Sequence, residues 1–285
     1  MENWAIHNFK GGVAKTTTAA NLGAGLALRG SRVALVDGDY QRSLSRAFLH
    51  KGKSPTIRDL LLDDTLKPTL FPTAVPNLFL IPGSADMNSL DYDIEERLRE
   101  RARTDPAFDI LDPATSLVGL RGAYLFPRLT RITALLAAHG FDYVLWDLPA
   151  QANCFVTLSL VLCDRLLIPV QCELLAVEAL EQAMEMLDDL DEGQRSKARI
   201  LRTMVTAGYR HQAAQSLEIE KYGALTMKTV IKRQTIANEG TTEGIPVIAL
   251  YSGSDLARAY NAAIDELLGA DENRDRSSLV ATNES

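Results

Sequence analysis

The feature that most restricts the fold of this chain is the recurrence of short apolar runs, rich in Val, Ile and Leu, separated by stretches of helical character. WAIHNF (4–9), RVALVD (32–37), LFLIPG (78–83), DYVLWDLP (142–149), RLLIPV (165–170) and ARILRTMVT (198–206) are such runs. A strand that is apolar on both sides needs cover on both. Alternation with helices supplies that cover through right-handed crossovers. The expected fold is therefore α/β, a single domain in which a mostly parallel twisted sheet is flanked by helices on both faces, with any site at the C-terminal ends of the strands. With 285 residues, 46% of them hydrophobic, the chain has enough apolar surface for one large core.

Two segments interrupt the pattern. Residues 99–127, with their prolines and mixed charge, read as an irregular insertion with room for a short helix, and it is open whether it is a partner-contact or dimer-edge element or an inert surface excursion. Residues 269–285 are polar and read as a disordered tail beyond a domain spanning 1–268.

The stretch FKGGVAKTTTAANLG (9–23) follows the first strand and opens the first helix. A glycine turn between a strand and a helix that begins Lys-Thr-Thr suits phosphate binding. Gly11 and Gly12 let backbone N–H groups face an anion, Lys15 reaches the β and γ oxygens, and Thr16 offers a hydroxyl to Mg²⁺ at the positive helix end. Counting back from Lys15, the ordinary G-x-x-x-x-G-K-[ST] pattern wants glycine at positions 9 and 14, where Phe9 and Ala14 stand.

Taken in order with ALVDGDYQ, FDYVLWDLPA and LLIPVQCELLAVEAL, this stretch resembles the ParA/MinD family of deviant P-loop ATPases across residues 3–268. It is most similar to the ParA-type partition proteins that lack an N-terminal DNA-reading domain. The resemblance implies ATP and Mg²⁺ as ligands, with Lys10, Gly11, Gly12, Val13, Ala14, Lys15, Thr16 and Thr17 around the phosphates. Lys10 matches the family's signature lysine, which reaches the partner subunit's nucleotide in an ATP-driven homodimer. Lys10, Lys15 and Asp39 are then the catalytic set, Asp39 acting on the attacking water. Thr16, Asp37 and Asp147 are the metal set. The backbone around Lys232 and Arg233, in TVIKRQTIANEG, is the expected adenine contact.

The resemblance further implies slow ATP hydrolysis stimulated by a ParB-like protein, non-specific double-stranded DNA as the surface bound, no membrane partner, and a cytoplasmic, nucleoid-associated location. The formal net charge of −7 hides a strong segregation. Residues 195–233 carry nine Lys or Arg against two Glu, +7, which leaves −14 for the remainder. A basic face of this kind binds phosphates irrespective of total charge, although solvated helix faces and strand ends account for the same residues. Arg202, Arg210, Lys228, Lys232 and Arg233 are the expected DNA contacts.

Departures from the family pattern are Ala14 for glycine, Tyr40 for proline, Ala150 for proline, Lys232 for proline, Gln234 for asparagine, and Ile236 where many relatives carry a DNA-binding arginine. They leave room for a nucleotide-binding scaffold with impaired hydrolysis. A membrane-associated positioning ATPase like MinD wants an amphipathic C-terminal helix, which GADENRDRSSLVATNES does not suggest. A nitrogenase-iron-protein-like carrier wants cysteines at spacings that Cys154, Cys163 and Cys172 do not have. No apolar run approaches the roughly 20 residues that span a bilayer, and the first residues carry no signal-peptide pattern.

Overall fold

The computed structural model describes residues 1–49, 52–105, 117–190, 193–206, 208 and 210–281. Its strands are β1 (Glu2–Ile6), β2 (Val33–Asp37), β3 (Phe71–Pro72), β4 (Leu78–Ile81), β5 (Tyr143–Asp147), β6 (Arg165–Gln171), β7 (Ala198–Val205) and β8 (Thr226–Lys232). They form one sheet in the order β3-β4-β2-β5-β1-β6-β7-β8. Every pairing is parallel except that of β3 with β4. The six apolar runs became β1, β2, β4, β5, β6 and β7. The two edge strands carried no such run: β3 is two residues long, and β8 alternates Met227 and Ile231 inward with Lys228 and Lys232 outward.

Alternation along the strands builds two cores. In β2, Val33 and Leu35 join one cluster and Ala34 and Val36 the other, all fully buried. The first cluster includes the helix Lys15–Leu28 through Ala19, Leu22 and Leu26, and the helix Asp255–Ala281 through Tyr260, Ile264 and Leu267. The second includes the helices Ile57–Leu62, Leu90–Thr104, Leu117–Ala138, Cys154–Leu162 and Leu174–Leu190. The result is a single α/β domain with helices on both faces of a mostly parallel sheet, as the run pattern requires.

One expectation needs correction. Of the insertion expected at 99–127, the described parts are regular: residues 99–104 end one long helix and 117–127 begin another, while 106–116 lie outside the described residues. Pro127 sits inside the second helix. An interior proline costs about 3 kcal/mol. Leu125, Leu129, Ile132 and Leu136, all buried on one stripe, outweigh it at roughly 1.5–3 kcal/mol each. The tail expected from about 269 has helical backbone as far as Ala281, and residues 282–285 lie outside the described residues. The helix Asp255–Ala281 carries its backbone on to Ala281, since no proline interrupts it and Gly269 alone is too weak a breaker to stop a helix anchored by Tyr260, Ile264 and Leu267.

Candidate nucleotide site

The parallel register brings three strand ends together. Ile6 of β1 and Asp37 of β2 both pair with Asp147 of β5, so the chain leaving β1 emerges beside two carboxylates. Residues 7–14 turn there into the helix Lys15–Leu28. Gly12 and Ala14 both adopt left-handed backbone, with φ 76° and 67°. The loop is tied from behind: Asn8 Nδ2 donates to the Pro169 carbonyl of β6 at 2.8 Å, its Oδ1 accepts from Lys10 N at 2.8 Å, and the Thr203 hydroxyl of β7 donates to the Val13 carbonyl at 3.0 Å. Val13, expected among the nucleotide contacts, turns its side chain into the protein and is fully buried, which leaves only its backbone to the site.

Lys15 is 8% exposed, and its Nζ donates to the carbonyls of Asn8 at 3.2 Å and Lys10 at 3.0 Å. Burial holds its pKa below the ordinary lysine value against the pull of Asp147 and Asp39. Lys10 points away from Lys15 and pairs with Glu173 at 3.0 Å. The two lysines thus flank one loop with their charges directed to different places.

Asp37 is fully buried and already engaged: its Oδ2 accepts from Ser45 N at 2.7 Å and the Ser45 hydroxyl at 2.6 Å, and its Oδ1 from Asp39 N at 3.3 Å. Gly83 lies so close that a Cβ there would meet the Asp37 carbonyl oxygen at 2.8 Å. Burial raises the Asp37 pKa to about 6, against the hydrogen bonds from Ser45. Asp147 is raised to about 8, by burial first and by Asp37 second, while a hydrogen bond from the Thr16 hydroxyl opposes the rise. Its Oδ2 is buried without a partner. Two buried carboxylates and a hydroxyl, one oxygen unsatisfied, are a donor set that a hard divalent cation fits. Among the described residues no group of three or more His, Cys, Asp or Glu converges, so the protein's share of such a shell is small and waters or phosphates supply the rest.

Asp39 lines the cleft and accepts from Gln41 N at 2.9 Å. Beside it stand Tyr40 and Gln41 from the same loop and Ala150 and Gln151 from the loop after β5. The cleft holds about 390 Å³, within the usual range for a small-molecule site. Gly11, Gly12, Ala14, Lys15, Thr16 and Thr17 form its polar end. Its far end is neutral, walled by Ala237, Gly240, Gly244, Ile245, Pro246 and Val247. Lys232 and Arg233, the expected base contacts, are exposed and do not line it. Lys232 ends the edge strand β8 and Arg233 follows it, and the chain reaches the cleft through Ala237 and Gly240 of the helix Ile236–Glu243 and through residues 244–247.

The expected DNA set divides. Arg202 is 9% exposed because β7 is an interior strand, and it bonds Glu220, the Ser216 hydroxyl at 3.0 Å and the Met227 carbonyl at 3.1 Å. It is a structural cation, and its assignment to DNA is withdrawn. Lys228, Lys232 and Arg233 are exposed on β8 and just after it, and Arg210 begins the helix Arg210–Glu220. Arg195 pairs with Asp188 and Lys221 with Glu218, so the excess charge read along the chain is partly neutralised in space. Three further residues were not singled out from the sequence: Asn8 and Thr203 position the loop, and Ser45, on the helix Ser43–Leu49, positions Asp37, but single polar residues give no pattern to find them by. The cysteines are free, and among the described residues no helix is long and apolar enough to cross a membrane.

A family model described as "AAA domain" (AAA_31) matches residues 1–200. The chain is 27% identical over 279 residues to the chromosome partitioning protein ParA of Caulobacter vibrioides, covering 95% of each. It is similar in fold to a variant of McdA from Cyanothece in complex with ATP (TM-score 0.72, 21% identity, 94% of this chain and 96% of that one). It is similar also to the septum site-determining protein MinD of Pyrococcus horikoshii complexed with Mg-ADP (TM-score 0.67, 19% identity, 93% and 95%). Loop, carboxylates and full-length similarity agree, and the chain belongs to the ParA/MinD family of P-loop ATPases.

Proposed function

We propose that this protein is a Mg²⁺-dependent ATPase of the partition type, a nucleotide switch for DNA segregation or cargo positioning. The observation that carries the reading is the pair of lysines on one loop, Lys15 lining the cleft with its Nζ on the loop's own carbonyls and Lys10 outside the lining, paired with Glu173. ATP enters with its phosphates on the N–H groups of 11–17 and its base in the neutral end. Lys15 neutralises the β and γ oxygens. Thr16, Asp37 and Asp147 would hold Mg²⁺, which when bound would supply further charge neutralisation there, and Asp37, through its bonds with Ser45 and Asp39 N, also fixes the loop that carries Asp39. Asp39 orients the attacking water, and Lys10 of a second copy stabilises charge on the transferred phosphoryl group.

In this reading ATP closes a sandwich homodimer in the cytoplasm. The dimer binds nucleoid DNA without sequence preference through Arg210, Lys228, Lys232 and Arg233, and hydrolysis stimulated by a ParB-like partner resets it. The test is the solution mass of Asp39→Ala with Mg-ATP and with Mg-ADP, together with anisotropy on random duplex DNA. A dimer that binds DNA in a salt-sensitive way with ATP alone is expected; a mass and DNA affinity indifferent to nucleotide overturn the switch. A scaffold that binds nucleotide but hydrolyses it poorly is the second reading, favoured by the left-handed Ala14 in the loop. Phosphate release by the unaltered protein, with and without DNA, separates the two.

A further inference from the structure

We infer that Asn21 is a positioning residue for the nucleobase: a polar clamp that fastens the neutral wall of the cleft to the helix carrying the phosphate loop. The inference rests on the nucleotide reading above and deepens it.

Asn21 lies on the helix Lys15–Leu28, one turn beyond Thr17, and is 2% exposed. Its Nδ2 donates to the Thr17 carbonyl at 2.8 Å, and its Oδ1 accepts from Ile248 N at 3.0 Å. The first bond holds the side chain against its own helix. The second crosses 227 positions of sequence to the turn that follows Pro246 and Val247, two residues of the wall. Ile248 N is a first-turn donor of the short helix Val247–Leu250, where no residue of its own helix can satisfy it. Pro246, immediately before that helix, has no N–H of its own, so the bond from Ile248 N to Asn21 ties this turn to the helix Lys15–Leu28.

The next turn of the same helix explains how the wall comes so near. A Cβ at Gly25 would meet Ile248 Cδ1 at 2.8 Å, so glycine there gives the Ile248 side chain its seat. Asn21 and Gly25, four apart, therefore present one face that fixes both height and register of the 246–248 turn over the cleft. Thr17, at one end of the clamp, and Val247, the neighbour of Ile248 at the other, line the same cavity as Asn21 itself. No charged side chain stands at the wall, so affinity for a base depends on the spacing of apolar and backbone surfaces, which is what the clamp sets.

The consequence separates two parts of one ligand. The phosphates are held by 11–17 and do not need the wall; the base does. The experiment measures the affinities of Mg-ATP and of Mg-tripolyphosphate for the unaltered protein, Asn21→Leu and Asn21→Asp, with melting temperatures alongside. Leucine removes both bonds at similar volume, and ATP affinity is expected to fall about tenfold or more, the equivalent of a hydrogen bond and the order it maintains. Tripolyphosphate affinity stays within about twofold, because the loop is unaltered. Aspartate keeps the acceptor for Ile248 N–H while losing the donor to Thr17, and gives an intermediate loss for ATP alone. It also decides the matter if the leucine variant does not fold. In turnover, the KM for ATP rises with kcat unchanged.

An unchanged ATP affinity in either folded variant overturns the clamp. Equal losses for both ligands, tracking the melting temperature, also overturn it, since that is a purely structural role. If the unaltered protein binds neither ligand, the nucleotide reading itself falls and takes the clamp with it, an outcome distinct from the other two.

Discussion

At the scale of single residues, Ala14 is the position where sequence and geometry conflict most openly. The pattern wants glycine there, and the loop indeed bends through φ 67° at that position. The same residue precedes the helix and gives its carbonyl to Thr18 N at 2.9 Å, so the conformation is fixed from both sides. A left-handed alanine costs roughly 1–2 kcal/mol, a cost that glycine escapes. Part of that gain is lost again, because glycine has more freedom in the unfolded chain. Ala14→Gly is expected to stabilise the protein by about 0.5–1 kcal/mol in urea unfolding and to leave ATP binding equal or tighter. Destabilisation would mean that the alanine methyl makes a contact worth more than the strain. The conflict was legible in the sequence as a missing glycine; its sign, a true left-handed residue rather than a rearranged loop, was not.

Elements decide what a cation does. Arg202 and Lys232 were equivalent as letters in a basic segment, yet one sits on interior strand β7 and the other on edge strand β8. Arg202 fastens the helix Arg210–Glu220 and the start of β8 to β7 through Glu220, Ser216 and Met227. Arg202→Ala would leave Glu220 without its partner, and a loss of about 2–3 kcal/mol in stability is expected, with the salt slope of DNA binding unchanged. Lys232→Glu with Arg233→Glu is expected to do the opposite. Their side chains are exposed, so stability holds within about 0.5 kcal/mol while DNA affinity and its salt slope both fall. Thermal melts and DNA titrations at several salt concentrations on both variants check the pair. A DNA defect from Arg202→Ala without loss of stability would restore that residue to the surface set.

The six apolar runs revealed the sheet because a parallel interior strand must be apolar on both faces. β3 and β8 escaped because an edge strand has no such obligation. The same logic hid the long helices at 90–104 and 117–138: charged residues and prolines made the segment look irregular, whereas burial of Leu125, Leu129, Ile132 and Leu136 overrides one interior proline. At the cleft, Lys15 and Thr16, and Asp147 at the end of β5, were singled out from the sequence because phosphate and metal chemistry calls for those residue types at strand ends. The neutral wall proposed to take the base was not, since Ala237, Gly240 and Pro246 carry no chemistry of their own and reach the cleft only through the fold.

At the scale of the whole molecule, the proposed dimer requires Lys10 to leave its place in the single chain. In the single chain it is held by Glu173, which stands just before the helix Leu174–Leu190, and that helix begins with Leu174 and Leu175 exposed at 61% and 65%. The pair is partly exposed, with Lys10 at 22% and Glu173 at 48%, so it restrains the lysine by only about 0.2–1 kcal/mol. A restraint of that size would not block the proposed dimerisation but would bias it, because in that reading both protomers release their lysine for one dimer to close. Glu173→Gln removes the charge and keeps the shape. If Glu173 competes with the partner's phosphates for Lys10, the variant dimerises with ATP at roughly two- to fivefold lower protein concentration, and the advantage shrinks as salt rises. Sedimentation of the Asp39→Ala background with and without Glu173→Gln reads this directly. A dimer weakened by Glu173→Gln would instead mean that the carboxylate goes on orienting Lys10 after the subunits meet, making the pair part of the assembled site rather than a restraint on reaching it.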